Sequence, residues 1–210
     1  SALGGAPDGN IILAGDCTVE ASEQPVSPTT SAIPPNATNT QKLVVGVPNT
    51  SIVIERGAGI VNRGNGILGH GILSGSIVGA SVDTITNDGF IGTDSNNASA
   101  ISISQPGALT INNGTTAGST ASSSVIATFD QLVPSGSAAV FAGGFFGQPR
   151  QSGDITFNQG SANSAGSIIH HGQQFGAAFF ATNTSGDVTV NNFQGEILGP
   201  TAIGIDTAGA

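Results

Sequence analysis

Three histidines and two regularly placed aspartates are the residues of this chain whose side chains could do chemistry. His70 stands between two glycines, and His170 is followed directly by His171. An imidazole can bind a metal ion or act as a general base. On a strand, however, adjacent residues face opposite ways, so the rings of His170 and His171 would diverge. No Cys or Glu lies nearby to complete a metal set, although Asp154 and Asp187 could approach across repeats. We predict no metal site.

The Gly-His-Gly around His70 also occurs in polygalacturonases, which are right-handed β-helices. Hydrolysis of a glycosidic bond needs two or three carboxylates, one to protonate the leaving oxygen and another to activate water. Polygalacturonases also carry an Asp-Asp pair and an Arg-Ile-Lys substrate clamp, and this chain has neither Asp-Asp nor Arg-x-Lys. We therefore predict that His70 is a turn residue, that the chain has no catalytic residues and no cofactor, and that it is not an enzyme. A carbohydrate-active β-helix is the alternative.

The aspartates belong to a repeated segment. Ser152-Gly-Asp-Ile-Thr-Phe-Asn158 returns as Ser185-Gly-Asp-Val-Thr-Val-Asn191, and looser copies lie at 83–89 and 108–114. Each copy is a short alternation of apolar and polar residues that ends in a turn, as in a strand followed by a tight corner. A carboxylate column could bind Ca²⁺, but the Gly-Gly-x-Gly-x-Asp calcium repeat is absent. We expect Asp154 and Asp187 to cap the backbone of the corner instead.

A second element recurs as Ala100-Ile-Ser-Ile103, Ala139-Val-Phe-Ala142, Ala178-Phe-Phe-Ala181 and Ala202-Ile-Gly-Ile205. Two recurring short strands at uneven intervals predict coils of about 20–25 residues, some with looped-out corners. We place the loops at 115–124, 143–152 and 159–166. Helix formers are scarce, since the chain has no Met and only four Lys and Arg together. The fold class expected is all-β, a parallel β-helix or β-solenoid.

Alternation assigns the faces of the repeated strand. Its apolar positions should stack inward from coil to coil, with two polar ranks pointing outward. The inward set is Ile85, Ile111, Phe157 and Val190; the first outward rank is Thr84, Thr110, Thr156 and Thr189; the second is Thr86, Asn112, Asn158 and Asn191. An ice-binding surface needs two ranks of Thr, and the second rank changes to Asn, so we disfavour that function.

Composition excludes several classes of partner. The formal net charge is −9, and the four basic residues do not cluster, which argues against binding of nucleic acid or anionic membranes. The longest uncharged run is interrupted by Ser, Asn, Thr, Gln and Pro, so no transmembrane span is predicted. Cys17 is the single cysteine and cannot form an intrachain disulfide.

The chain divides into residues 1–40 and 41–210. The first part is rich in proline, and we expect an irregular leader that caps the first coil, with strand candidates at 10–14 and 17–19. The second part carries the solenoid repeats. The chain begins at Ser1 and contains no Met, from which we expect a removed leader and export.

The repeats resemble those in the β-helical passengers of bacterial autotransporters, above all the alphaproteobacterial kind. Gly186-Asp-Val-Thr-Val-Asn-Asn-Phe-Gln-Gly-Glu-Ile197 followed by Ala202-Ile-Gly-Ile205 matches their "GdvTVnNsGtI.g..a.GI" unit, and Val53–Asn62 is similar to an early rung. The resemblance covers roughly residues 43–210. It implies a right-handed parallel β-helix, display at the bacterial cell surface, and adhesion or scaffolding. One departure is that no translocator barrel follows; the barrel has been cleaved, or the chain is a free-standing relative.

These observations lead to a non-enzymatic extracellular solenoid that serves as an adhesin, a scaffold or a fibre subunit. Possible ligands are a host or surface glycan or a protein. Eight of the ten Phe lie between Phe141 and Phe193, and alternation turns one ring of Phe145-Phe146 and one of Phe179-Phe180 outward, where they could form a contact surface. An unguarded last coil also predicts self-association end to end, most plausibly head to tail and hence in filaments.

Overall fold

A computed structural model describes residues 10–13, 16–19, 42–45, 50–62, 77–79, 82–93, 99–103, 108–131, 138–143, 153–172, 176–182 and 186–206. These residues form strands, turns and bends, and none of them is helical. The loop predicted at 143–152 lies outside them except for its first residue, which ends a strand, and most of the leader also lies outside them. The all-β prediction is confirmed.

The strands follow one another as successive coils, each of which visits up to three sheets in the same order. The first coils contain β1 (Asn10–Leu13) and β2 (Cys17–Val19); β3 (Lys42–Val45), β4 (Thr50–Ile54) and β5 (Gly59–Asn62); and β6 (Ile77–Gly79), β7 (Val82–Asn87) and β8 (Phe90–Thr93). The later coils contain β9 (Ile101–Ile103), β10 (Leu109–Asn113) and β11 (Val125–Gln131); β12 (Ala138–Gly143), β13 (Ile155–Gln159) and β14 (Gly166–Gly172); β15 (Ala177–Thr182), β16 (Val188–Asn192) and β17 (Gly195–Leu198); and β18 (Thr201–Asp206).

Every third strand joins the same sheet, which gives three stacked sheets. Sheet A has the order β1-β3-β6-β9-β12-β15-β18, sheet B the order β2-β4-β7-β10-β13-β16, and sheet C the order β5-β8-β11-β14-β17. All the pairings between these strands are parallel. The chain is therefore a parallel β-solenoid, as predicted. The right-handedness of the coil stays a prediction.

The predicted register of the repeated strand is also confirmed. Thr110 pairs with Thr84 and Thr156, and Thr156 pairs with Thr189, so the four threonines form one row. The second recurring element likewise forms one row in sheet A, where Ile101 is followed by Val140, Phe179 and Ile203. β1 and β2, the two strand candidates near the N-terminus, pair with β3 and β4.

The core includes three apolar columns, one per sheet, that meet inside the coil, and further buried positions such as Ile103, Ala142 and Leu109 pack beside them. Most of their members are fully buried because the coils above and below exclude water. The columns are Ile52, Ile85, Ile111, Phe157 and Val190 in sheet B; Ile101, Val140, Phe179 and Ile203 in sheet A; and Ile60, Ile91, Ile126, Ile168 and Ile197 in sheet C. In the middle of the core the Phe157 and Phe179 rings pack with centroids 5.2 Å apart.

Val190 departs from the prediction that the whole column is buried. Its register is as expected, but it is only half-buried, whereas Ile111 and Phe157 are completely buried. The physical reason is its position in β16, the last described strand of sheet B. No further coil covers it among the described residues.

The corner from sheet B to sheet C is one of the connections whose length differs from coil to coil. It contains two residues in some coils, as at Asp88-Gly89, and a longer loop in others, as at 114–124 and 160–165. Gly114 and Gly160 open the two longer loops with φ of 64° and 66°. A Cβ at either would collide with a carbonyl of the neighbouring chain segment, so glycine is required there. The predicted loops at 115–124 and 159–166 are confirmed, except that Gln159 and Gly166 belong to strands.

The difference in burial along the sheet B column predicts that a charge introduced at Ile111 destabilises the protein more than a charge introduced at Val190. Ile111→Asp should lower the free energy of unfolding by about 4 kcal/mol, because an unpaired carboxylate would enter a dry core. Val190→Asp is the matched variant in the same column, and it should cost clearly less because water reaches it. Urea denaturation followed by circular dichroism measures both. Equal losses for the two variants would contradict the assignment of β16 as an open strand.

Candidate functional site

The outer face of sheet B carries the two polar ranks predicted from the sequence. Thr84, Thr110 and Thr156 are partly exposed and Thr189 is fully so. In the second rank Asn191 donates from Nδ2 to Oδ1 of Asn158 at 2.9 Å. Asn158 donates in the same way to Asn112, also at 2.9 Å. The second rank is thus an amide ladder that ties adjacent coils together while it remains open to water.

A second amide ladder lies inside the solenoid, at the end of the sheet B strands. Asn87 donates to Oδ1 of Asn113 at 2.8 Å, and Asn113 donates to Oε1 of Gln159 at 3.1 Å. All three side chains are completely buried. Gln159 continues the series by donating to the backbone oxygen of Glu196 at 2.8 Å. The ladder crosses four coils and satisfies polar groups that would otherwise be costly to bury.

This inner ladder was not predicted from the sequence, although a signal existed. Asn112 and Asn113 are neighbours on one strand, as are Asn158 and Gln159. Since Asn112 and Asn158 face outward, alternation places the following residue inward. Because Asn is common in turns, the second amide residue of each pair was assigned to a turn rather than to the core.

Of the two aspartates that begin the repeated strands, Asp154 caps a backbone N–H, and that N–H belongs to the next coil rather than to the corner of its own coil. The Asp154 carboxylate accepts a hydrogen bond from the backbone N–H of Asp187, at 2.9 Å. Asp16 does the same for the backbone N–H of Ser51 in an earlier coil, also at 2.9 Å. In both cases a carboxylate of one coil receives the N–H at the matching position of the next coil. These two carboxylates therefore stabilise the stacking of one coil on the next.

Two charged residues from the two preceding coils hold the loop 114–124. Asp88, one coil back and with only 8% of its surface exposed, accepts hydrogen bonds from the hydroxyls of Thr116 at 2.5 Å and Ser119 at 3.0 Å. Arg56, two coils back, donates to the backbone oxygen of Ala117 at 3.1 Å. The loop also shields the outer side of sheet C, where Ser167 donates to the oxygen of Ala121 at 2.6 Å.

The two histidines within the described residues lie on a different sheet from the aspartates. His70 lies outside the described residues. His170 and His171 lie on β14 in sheet C, whereas Asp154 and Asp187 lie at the start of sheet B strands. Among the described residues, no group of three or more His, Cys, Asp and Glu side chains is arranged to hold a metal ion. The part of the chain that the structure describes also contains no helix long and apolar enough to cross a membrane.

An aromatic pair lies on the outer side of sheet A. The Phe141 and Phe180 rings have centroids 5.8 Å apart, and they pack with Ala138 and Ala177 in a small cluster separate from the main core. Phe180 is partly exposed, which matches the prediction that one ring of Phe179-Phe180 turns outward. Its ring lies over Gly204 of β18, where a Cβ would stand 2.5 Å from the ring carbon Cδ2. Phe145 and Phe146 lie outside the described residues.

The most exposed apolar surface is the open face, the set of core positions in the last described coil: Val188, Val190, Ile197, Ile203 and Ile205. Ile203 is 41% and Ile205 49% exposed, while Phe179 and Ala181, their partners one coil earlier, are both 0% exposed. Phe193 and Leu198 add apolar surface at the rim. The edges of β16, β17 and β18 also have no strand partner on this side within the described residues.

Comparison of the chain with protein-family models, with curated proteins and with solved structures finds no match. The fold and the geometry above therefore carry the argument about function.

The inner ladder predicts that one amide matters far more than its neighbour. Asn113→Leu should lower the free energy of unfolding by about 3 kcal/mol, because it removes the hydrogen bonds that Asn113 makes with buried groups of Asn87, Gln159 and Ser167. Asn112→Leu, one residue away on the outer face, should cost less than about 1 kcal/mol because water replaces the lost bond. Urea denaturation measures the free energy of unfolding of both variants. A larger loss of stability for Asn112→Leu than for Asn113→Leu would refute the inward placement of Asn113.

The fixed loop predicts a local effect. Asp88→Ala should increase the rate of proteolytic cleavage within 115–124 at least about tenfold, because each hydrogen bond to a carboxylate is worth about 1.5 kcal/mol or more. Asp83→Ala, at an exposed aspartate of β7, the strand that ends just before Asp88, is the control and should leave the rate unchanged. Limited proteolysis with mass spectrometry provides the measurement. Equal cleavage of both variants would show that Asp88 does not fix the loop.

Proposed function

We propose that this chain is a non-enzymatic β-solenoid with a structural role, a surface adhesin, scaffold or fibre subunit that associates with other copies through its open face. The observation that carries the proposal is the exposure of core positions in the last described coil. Ile203 and Ile205 occupy the register of residues that are completely buried one coil earlier. A further coil is the chemical complement of such a surface.

The physical reason is that the open face combines two unfavourable exposures. Half-exposed isoleucines would each gain roughly 1 kcal/mol on burial. Within the part of the chain that the structure describes, the strand edges beside them have no partner strand, and open edges of this kind are templates for another strand. An apolar ligand could cover the first exposure but could not satisfy the second, whereas a coil does both.

A role without catalysis is supported by how the candidate residues are used. Asp154 caps the backbone of the following coil, and Asp88 fixes a loop. Asn112, Asn158 and Asn191 bond to one another along the outer face. Each of these groups stabilises the stack of coils. Binding of a glycan or protein ligand along the outer faces, and an extracellular location at a bacterial surface, belong to the proposal through the resemblance to autotransporter passengers.

The test is the dependence of mass on concentration. We expect the weight-average mass of the wild-type chain to rise with concentration in sedimentation equilibrium. Ile203→Lys combined with Ile205→Lys should abolish this rise, since it puts two charges on the open face. Thr84→Lys, on the outer face of sheet B in an inner coil, is the control and should associate as the wild type does. A wild-type chain that stays monomeric at the highest soluble concentration, or a double variant that associates normally, would contradict the proposal.

A further inference from the structure

The loop 114–124 is longer than its own coil requires. β10 ends in register with the end of β7, and β11 begins in register with the start of β8, so the two coils have the same gap to close between sheets B and C. The coil of β7 and β8 closes this gap with Asp88-Gly89 alone. The additional length of the loop is therefore available for contacts outside its coil.

Ser119 is the residue at which these contacts meet, and only 3% of its surface is exposed. Its hydroxyl donates a hydrogen bond to Oδ1 of Asp88 at 3.0 Å and accepts one from Nη2 of Arg56 at 3.4 Å. Its backbone oxygen accepts a third from the N–H of Ala165 at 2.9 Å. Arg56 lies two coils before this serine, Asp88 one coil before it and Ala165 one coil after it. One side chain and its backbone thus link four successive coils.

Arg56 makes the contact that skips a coil. Its Nη2 also donates to the backbone oxygen of Ala117 at 3.1 Å. The guanidinium lies over Gly118, where a Cβ would stand only 3.3 Å from Nη1. Both amide ladders, in contrast, join each coil to the next one. In solenoids each repeat ordinarily contacts only its neighbours, so the contact of Arg56 with the loop adds a link of longer range.

A link that skips a coil changes how the stack opens. With contacts between neighbours alone, the stack can open at one interface and leave the next one intact. The bond from Arg56 to the loop is broken when either of the two interfaces between them opens, and it is broken only once when both open. The second interface therefore opens at a lower additional cost than the first, which makes the two openings cooperative.

We infer that the loop 114–124 is a strap that holds the two preceding coils, β3–β5 and β6–β8, onto its own coil, so that these coils open together and not one by one. The strap acts within a single chain and is independent of the proposed self-association. Asp88 connects the nearer coil to the strap, and Arg56 connects the farther one. Because opening of these coils would expose fully buried core residues, the strap protects the part of the core that it spans.

Native-state hydrogen exchange followed by mass spectrometry tests the strap, because exchange of the β4 and β5 amides reports opening of the coil that carries Arg56. Arg56→Ala is compared in the wild-type chain and in a chain whose residues 114–124 are replaced by the dipeptide Asp-Gly. With the wild-type loop we expect Arg56→Ala to accelerate this exchange about fivefold, because a hydrogen bond of the strap is lost. In the shortened chain it should have no effect, because its partner is already absent. Glu55→Ala, at the exposed neighbour of Arg56, is the control and should leave the exchange unchanged in both chains.

Gly118→Val provides a second background in which the loop keeps its length. The new side chain would occupy the space of the guanidinium, so Arg56→Ala should add little to the acceleration that Gly118→Val itself causes. The same effect of Arg56→Ala in every background would show that Arg56 acts within its own coil. No effect in the wild-type chain would show that the contact does not hold the coil. Either result overturns the strap, and if the shortened chain fails to fold, the Gly118→Val chain decides between the two readings.

Discussion

The stacking of one coil on the next is the interaction on which the rest of this structure depends. No coil buries its apolar residues alone, since a single coil has its core open above and below. Ile111 is buried because Ile85 and Phe157 lie in the coils on either side. Parallel backbone pairing fixes the register, and this register places similar residues of successive coils next to one another. Each added coil completes the burial of the one before it.

The polar residues reinforce the same register in three ways. The outer amides bond along the stack in the open, and the inner amides do so in the core. Aspartate carboxylates cap the backbone of the next coil at the start of the repeated strand. A shift of one residue would bury the outer Asn rank and expose the apolar column, so all three devices oppose slippage. They also explain how a chain with few charged residues maintains a specific fold.

Much of this architecture follows from the sequence because the repeats state it directly. The segment Ser-Gly-Asp-x-Thr-x-Asn recurs with an apolar residue at each x. From this recurrence we predicted the strand, its two faces and the row of threonines, and the position of Asp154 indicated its role as a cap. Contacts between residues outside the repeated segments could not be predicted from the sequence. The bond from Arg56 to Ala117 joins residues that are 61 positions apart and belong to neither repeated segment. The partial exposure of Val190 was missed for a different reason, because sequence pattern reports the face of a residue and not whether a neighbour covers it.

The self-association proposed for this chain depends on the open face, where core positions in the last described strand of each sheet are exposed. Cryo-electron microscopy of the concentrated chain tests the proposal most directly. Strands about 4.8 Å apart and seven strands in sheet A predict that end-to-end association gives rods that lengthen by about 34 Å per copy. Particles that never exceed the length of a single copy, or that join side by side through the outer faces, would contradict it.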